Sequence, residues 1–374
     1  MEFCKWAFQV LHPGEPLHWC EMYDLICEHL SCVAEGECRR LLFNGPPRIL
    51  KSFFFSICYP TWKWTLHPGH RFLCGSYSLD LAIEFSIQWR KLISSDWFQQ
   101  LFPHVRLSDD RNRLDIQHNT CGGAMVACSV GSSVLGKGGD TLLLDDSLDP
   151  QMAASDSERK SANTWVHSVF LNRLNNPAAG AVIIVGQRLH QVDTFGLLLD
   201  AEPATWRHVA VPMEAEADTD IVLPKSGRTW HRVKGDIILP QRFSEQEIQN
   251  RKAQPFVWAT QNQQHPVSPE GNLLRWADVR YWGDADGDER LPYHFISVDC
   301  AFKDTVGADY TAVVCIGTNG SRRFVLDVVN ARLDIEGTVA AILRLRALYP
   351  QGIVLGQMAR ESSYTQRGCG ASAT

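Results

Sequence analysis

From about residue 38 to residue 200, short apolar runs of strand length alternate with longer runs of helical character. In chain order they are "CRRLLFN", "KSFFFSICYPTWKW", "RFLCGSYS", "LDLAIEFSIQWRKLIS", "AMVACSV", "TLLLDD", "ERKSANTWVHSVFLNRL" and "AVIIVGQRL". Such alternation is the pattern of an α/β fold with a mostly parallel sheet. The second run is expected to be a helix bent or ended near Pro60, because proline removes a backbone donor and clashes with the preceding turn. "AAGAVIIVG" is uncharged throughout and reads as one buried strand.

A chain of 374 residues has room for two or three domains. Its 45% hydrophobic and 21% charged residues suit a globular protein. No apolar run approaches the roughly 18 residues that span a membrane, and "MEFCKWAFQVLHPG" is a poor secretory signal. Twelve cysteines occur without a C-x-x-C pair, which argues against a zinc site or a disulfide framework. A reducing cytoplasm is the expected setting. The net charge of −6 is wrong for a static DNA binder, yet compatible with transient grip through local patches.

Residues 1–37 are expected to form a lead-in helical region and 38–200 the main α/β domain. Between 201 and 290 the pattern weakens into short strands, prolines and Trp-rich turns. A new unit starts at "YHFISVDCAF" and reads strand, strand, strand, helix, strand up to residue 356. Residues 357–374 lose apolar periodicity.

"GPPRILKS", Gly45 to Ser52, fits the phosphate-loop pattern G-x-x-x-x-G-K-[ST] except that Leu50 stands at the second glycine. Such a loop converges backbone N–H groups on phosphate oxygens, neutralises them with a lysine, and holds Mg²⁺ through a hydroxyl. Pro46 and Pro47 remove two donors, so the loop is an unusual one, and a capped helix start is the plain alternative. "TLLLDD" ends a buried strand in Asp145 and Asp146. A phosphate-loop ATPase places one Asp at a strand end for the metal, with a second acid beside it to orient the attacking water. The two elements together point to a nucleotide site.

In sequence order, "GPPRILKS", "SYSLDLA", "SVGSSVLGKGGDTLLLDD", "IIVGQRLHQVDTFG", "QNQQHPVSPEGN" and "SVDCAFKDTVGADYTAV" resemble the large terminase subunit of tailed bacteriophages. The likeness runs from about residue 12 to 356. It implies a P-loop NTPase followed by an RNase H-like α/β domain, an ATP-driven motor that packages double-stranded DNA and a nuclease that cuts it. By the same resemblance Gly45, Pro46, Pro47, Arg48, Lys51 and Ser52 bind ATP, and Ser52 and Asp145 hold Mg²⁺. Asp146 acts as the catalytic carboxylate, and Gln187 and Arg188 couple hydrolysis to movement. Implied partners are portal protein, a small terminase subunit and further copies in a ring, with no membrane, in the cytoplasm of a bacterial host.

For the nuclease the resemblance implies two divalent metals, Mg²⁺ or Mn²⁺, held by converging carboxylates about 3.5–4 Å apart. Asp299, expected in the middle of the unit's first strand, is the first of these, because a carboxylate inside such a strand is costly without a metal or partner. Asp309, ahead of Asp304, is the next. The second obligatory acid belongs at about 356 or 357, where Gly356 and Gln357 stand, and the nearest acid is Glu361. The nuclease is therefore expected to be truncated (291–356), to lack one of its metals and to be inactive. Residues 357–374 are expected to be a disordered, aberrant tail. The alternatives are a non-catalytic prophage remnant that binds only DNA or portal protein, and a helicase-like ATPase.

Overall fold

The computed structural model describes residues 1–108, 113–267, 280–282, 291–299, 310–319 and 322–357, except for the side chains of 356 and 357. The chain divides into two compact units, Met1–Arg275 and Trp276–Thr374.

The first unit is built on a sheet of seven strands: β1 (Arg40–Asn44), β2 (Arg71–Ser76), β3 (Ile116–His118), β4 (Ala124–Ser129), β5 (Thr141–Asp145), β6 (Ala181–Gly186) and β7 (Arg207–Ala210). Their spatial order is β3-β4-β2-β5-β6-β1-β7. Every pairing is parallel except that of β3 with β4. A small antiparallel hairpin, β8 (Thr219–Val222) with β9 (Thr229–Arg232), follows.

Both faces of the sheet are covered, which explains the unbroken apolar runs. Leu41, Phe43, Phe72, Cys74, Leu143, Ile183 and Val185 pack on one face, against the N-terminal helices Glu2–Leu11 and Glu21–Ala34, the helix that begins at Lys51, and Leu79–Ile93. Leu42, Leu73, Leu142, Leu144, Val182 and Ile184 pack on the other, against Trp165, Phe170 and Phe195. Each such buried leucine or phenylalanine contributes roughly 1.5–3 kcal/mol.

The helix after β1 neither ends nor breaks at Pro60. It is π-helical over Phe53–Cys58 and continues as the α-helix Tyr59–Leu66, with Pro60 in that segment's first turn. Pro60 has no N–H to offer the Ser56 carbonyl, and the Trp89 indole Nε1 donates to that carbonyl instead at 2.6 Å. A side chain from a neighbouring helix thus replaces the lost main-chain bond. The run read as one helix over 158–174 is likewise composite: α over Asp156–Trp165, π over Val166–Phe170 and 3-10 over Leu171–Arg173. Among the described residues no helix is long and apolar enough to cross a membrane.

The second unit carries a four-stranded sheet of β10 (Tyr293–Asp299), β11 (Thr311–Asn319), β12 (Arg322–Ala331) and β13 (Ile353–Gln357), in the order β12-β11-β10-β13. β10 runs antiparallel to β11 and parallel to β13. The helix Ile335–Leu348 supplies Ala341 and Leu345 to a small core with Ile296, Val298, Val313 and Cys315. The strand–strand–strand–helix–strand order matches the sequence reading.

Candidate active site

The carboxyl ends of β1, β5 and β6 meet because β6 lies between the other two. β1 ends at Asn44, and the Gly45 N–H is tied to the Gly186 carbonyl at the end of β6. A Cβ on Gly45 would lie 2.8 Å from Ile49 Cδ1 and 3.2 Å from Phe43 Cε1, so a larger residue here would make those side chains shift. Pro46 is buried, Pro47 half-buried and Arg48 exposed. Arg48 and Leu50 adopt φ values of 70° and 62°, the left-handed region that glycine enters freely and other residues enter at a penalty. Leu50, at the position where the pattern has its second glycine, thus holds a backbone conformation that favours glycine.

Lys51 is buried, at 8% exposure, and donates to the Pro46 carbonyl at 2.7 Å. Burial lowers its pKa, while Asp146 and Asp145 act in the opposite direction. The N–H groups of Arg48, Leu50 and Lys51 have no hydrogen-bond partner among the described residues. They remain for an anion at the start of the helix, where unpaired N–H groups favour one.

Asp145 is the last residue of β5 and wholly buried. Its Oδ2 accepts from the Ser56 hydroxyl at 2.6 Å, and its Oδ1 has no partner. Burial, then the neighbouring Asp146 charge, pushes its pKa up, while the Ser56 and Ser52 hydroxyls and Lys51 oppose the rise. An orphaned, buried carboxylate oxygen close to the Ser52 hydroxyl is what a divalent cation would satisfy, so the residues present fit the Mg²⁺ implied by the resemblance.

Asp146 turns back with φ 50°, which an aspartate tolerates. Its N–H bonds the Val185 carbonyl and its carbonyl accepts from Tyr77 N–H. Burial raises its pKa, with Lys51 and the Gln187 N–H pulling it down. A Cβ on Gly186 would sit 2.9 Å from Asp146 Oδ1, so the glycine makes room for this carboxylate. From here a hydroxyl relay runs outward. Ser147 Oγ donates to Thr194 Oγ1, which donates to Asn163 Oδ1, and Asn163 Nδ2 donates to the Val192 carbonyl.

The structure thus brings Gly45, Lys51, Ser52, Asp145, Asp146 and the Gln187 backbone together. Gln187 Oε1 is buried without a partner. The Arg188 side chain is committed elsewhere: its Nε bonds both oxygens of Asp193 at 3.1 and 3.0 Å, and its backbone N–H bonds Gln264 Oε1. Sequence reasoning missed Ser56, although it sits four residues beyond Ser52 on one helix, a spacing that shares a face. It also missed the Asn44 Oδ1 to His208 Nε2 contact of 2.7 Å, which joins β1 to β7. No local signal pairs those two residues. Beside them a cleft of about 580 Å³ is lined by residues that include His208, Gln263, Gln264 and His265.

In the second unit Asp299 lies on β10 at the edge of the described residues and is exposed, so it carries none of the burial penalty expected of it. Its Cα partners are Ala312 on β11 and Gln357 on β13. Asp304, Asp309 and Glu361 lie outside the described residues, as does 358–374. Among the described residues no cluster of three His, Cys, Asp or Glu side chains could hold a metal.

A buried lysine at the head of the helix after β1, two acids at the end of β5 and a strand between them define an α/β fold of the phosphate-loop class. No family model and no curated protein matches the chain. Among solved structures, the large terminase of bacteriophage HK97 is similar at 12% identity and TM-score 0.41, over 92% of this chain and 71% of that one. The large terminase of a thermophilic bacteriophage is similar at 10% identity and TM-score 0.39, over 90% and 77%. An ATPase-domain mutant of the Thermus phage P74-26 large terminase is similar at 13% identity and TM-score 0.38, over 70% and 97%. A likeness at this level leaves the assignment to the residues of the chain itself.

Proposed function

We propose that this chain hydrolyses ATP and uses the energy to move double-stranded DNA, as a motor subunit of the large terminase kind. The supporting observation is the meeting of buried Lys51 with Asp145 and Asp146, the Asp145 Oδ1 being left without a partner. The ordered motifs from "GPPRILKS" to "SVDCAFKDTVGADYTAV" support the terminase reading over a generic ATPase.

In this reading the unpaired N–H groups of the loop and the Lys51 ammonium bind the β- and γ-phosphates. Ser52 and Asp145 hold the divalent cation, which when bound neutralises charge that builds on the phosphate oxygens. Asp146, fixed by the Gln187 N–H, orients the attacking water. Arg48, exposed on the loop, is placed to meet the γ-phosphate or a neighbouring subunit. The motor works with portal protein, a small subunit and a ring of copies in the host cytoplasm. The second unit corresponds to the family's nuclease and is inactive here: Gln357, in register with Asp299, stands where the resemblance implies the second acid.

The test is ATP hydrolysis by purified protein with and without double-stranded DNA, beside Lys51→Ala. Loss of about 100-fold or more in the variant is expected. Folded protein that does not hydrolyse ATP, or hydrolysis indifferent to Lys51→Ala, would overturn the reading and favour an inert remnant.

A further inference from the structure

Ser76 closes β2, the strand beside β5, and is wholly buried. Its Cα partner across the parallel ladder is Asp145. Phe72 and Cys74, two and four positions before it, pack on the sheet face that the phosphate-loop helix covers, as does Leu143, two before Asp145. Side chains alternate along a strand, so Ser76 and Asp145 stand on that same face, about 4.8 Å apart along the ladder. The Ser76 hydroxyl has no partner, and neither has Asp145 Oδ1. Two buried, unsatisfied oxygens side by side are rare unless something joins them.

We propose that Ser76 is a positioning residue of the cation site, its hydroxyl and Asp145 Oδ1 together holding one water of the metal's shell. The inference rests on the nucleotide reading above. Mg²⁺ keeps several of its waters when a protein binds it, and a buried water needs two or more polar partners. Ser52 and Ser56 approach Asp145 from the helix, whereas Ser76 approaches it from within the sheet. Ser76 opens the stretch "SYSLDLA", but nothing in that stretch pairs it with Asp145, which only the β2–β5 register does.

The experiment is binding of a fluorescent ADP analogue, titrated with Mg²⁺ and repeated in EDTA, for wild type, Ser76→Ala and Ser76→Thr. Ser76→Ala is expected to need about tenfold more Mg²⁺ for half-maximal enhancement of binding. Its affinity in EDTA should match wild type. Its metal-free Tm should be equal or higher, because the oxygen removed makes no bond there. Ser76→Thr, which keeps the hydroxyl, should retain the wild-type midpoint. An unchanged Mg²⁺ midpoint in Ser76→Ala, or an equal weakening in EDTA, overturns the proposal. Wild type that fails to bind the analogue with Mg²⁺ refutes the nucleotide site itself, a separate and recognisable result.

Discussion

Replacing Ser56 by alanine isolates the one hydrogen bond that Asp145 receives on Oδ2. Both residues are fully buried and the bond is 2.6 Å long. A buried bond to an ionised carboxylate contributes about 1.5–3 kcal/mol, and one to a neutral group about 1 kcal/mol. The loss should therefore depend on the charge that Asp145 carries. Its folded pKa is raised by burial and by Asp146, so the folded state holds the proton more tightly than the unfolded chain. Stability from this group is then greatest at low pH and falls as pH climbs from the unfolded carboxylate range to the raised folded value. Ser56 opposes the rise, so removing it lifts the folded pKa further and deepens that fall. The gap between wild type and Ser56→Ala should widen from about 1 kcal/mol at about pH 5 to about 2–3 kcal/mol at about pH 9. Urea unfolding of apoprotein at the two pH values measures it. A gap independent of pH, or one below about 0.5 kcal/mol at the higher value, would mean that Ser56 does not act on an ionised Asp145.

Two further substitutions probe the loop and its surroundings. Leu50 sits at φ 62°, where a side chain costs roughly 1–2 kcal/mol; Leu50→Gly should equal or exceed Leu50→Ala in urea midpoint, the reverse of the usual order, and a clearly weaker glycine variant would contradict the strain. Arg188 and Asp193 form a pair with side chains 11% and 4% exposed, so Arg188→Ala should destabilise by about 3 kcal/mol, the low end for a buried pair because Asp193 keeps backbone N–H bonds from Leu189, His190 and Gly196; a loss under about 1 kcal/mol would show that those bonds suffice alone.

Lys51, Asp145 and Asp146 were legible in the sequence because each closes or opens an element with a strong local pattern. The insertion of β6 between β1 and β5 was not, since strand order is a property of crossovers. β7 escaped because "RHVA" is four residues, mostly exposed, with no apolar run to mark it. The helix does not end at Pro60 because the rescue of the Ser56 carbonyl comes from Trp89, 33 positions from Ser56. Asp299 was read as a buried charge from its apolar neighbours, whereas its side chain is exposed. Arg188 was read as a coupling residue through the resemblance, and no local pattern showed that Asp193, five residues on, pairs with its side chain.

The relay from Ser147 to Asn163 has a fixed polarity. The Val192 carbonyl can only accept, so Asn163 must present its amide nitrogen there and its oxygen to Thr194. Thr194 must then spend its single proton on Asn163 and can only accept from Ser147. Ser147 in turn has no proton left for the acid loop. Whatever water or donor arrives beside Asp146 meets, in Ser147, an oxygen that can receive a hydrogen bond and cannot give one.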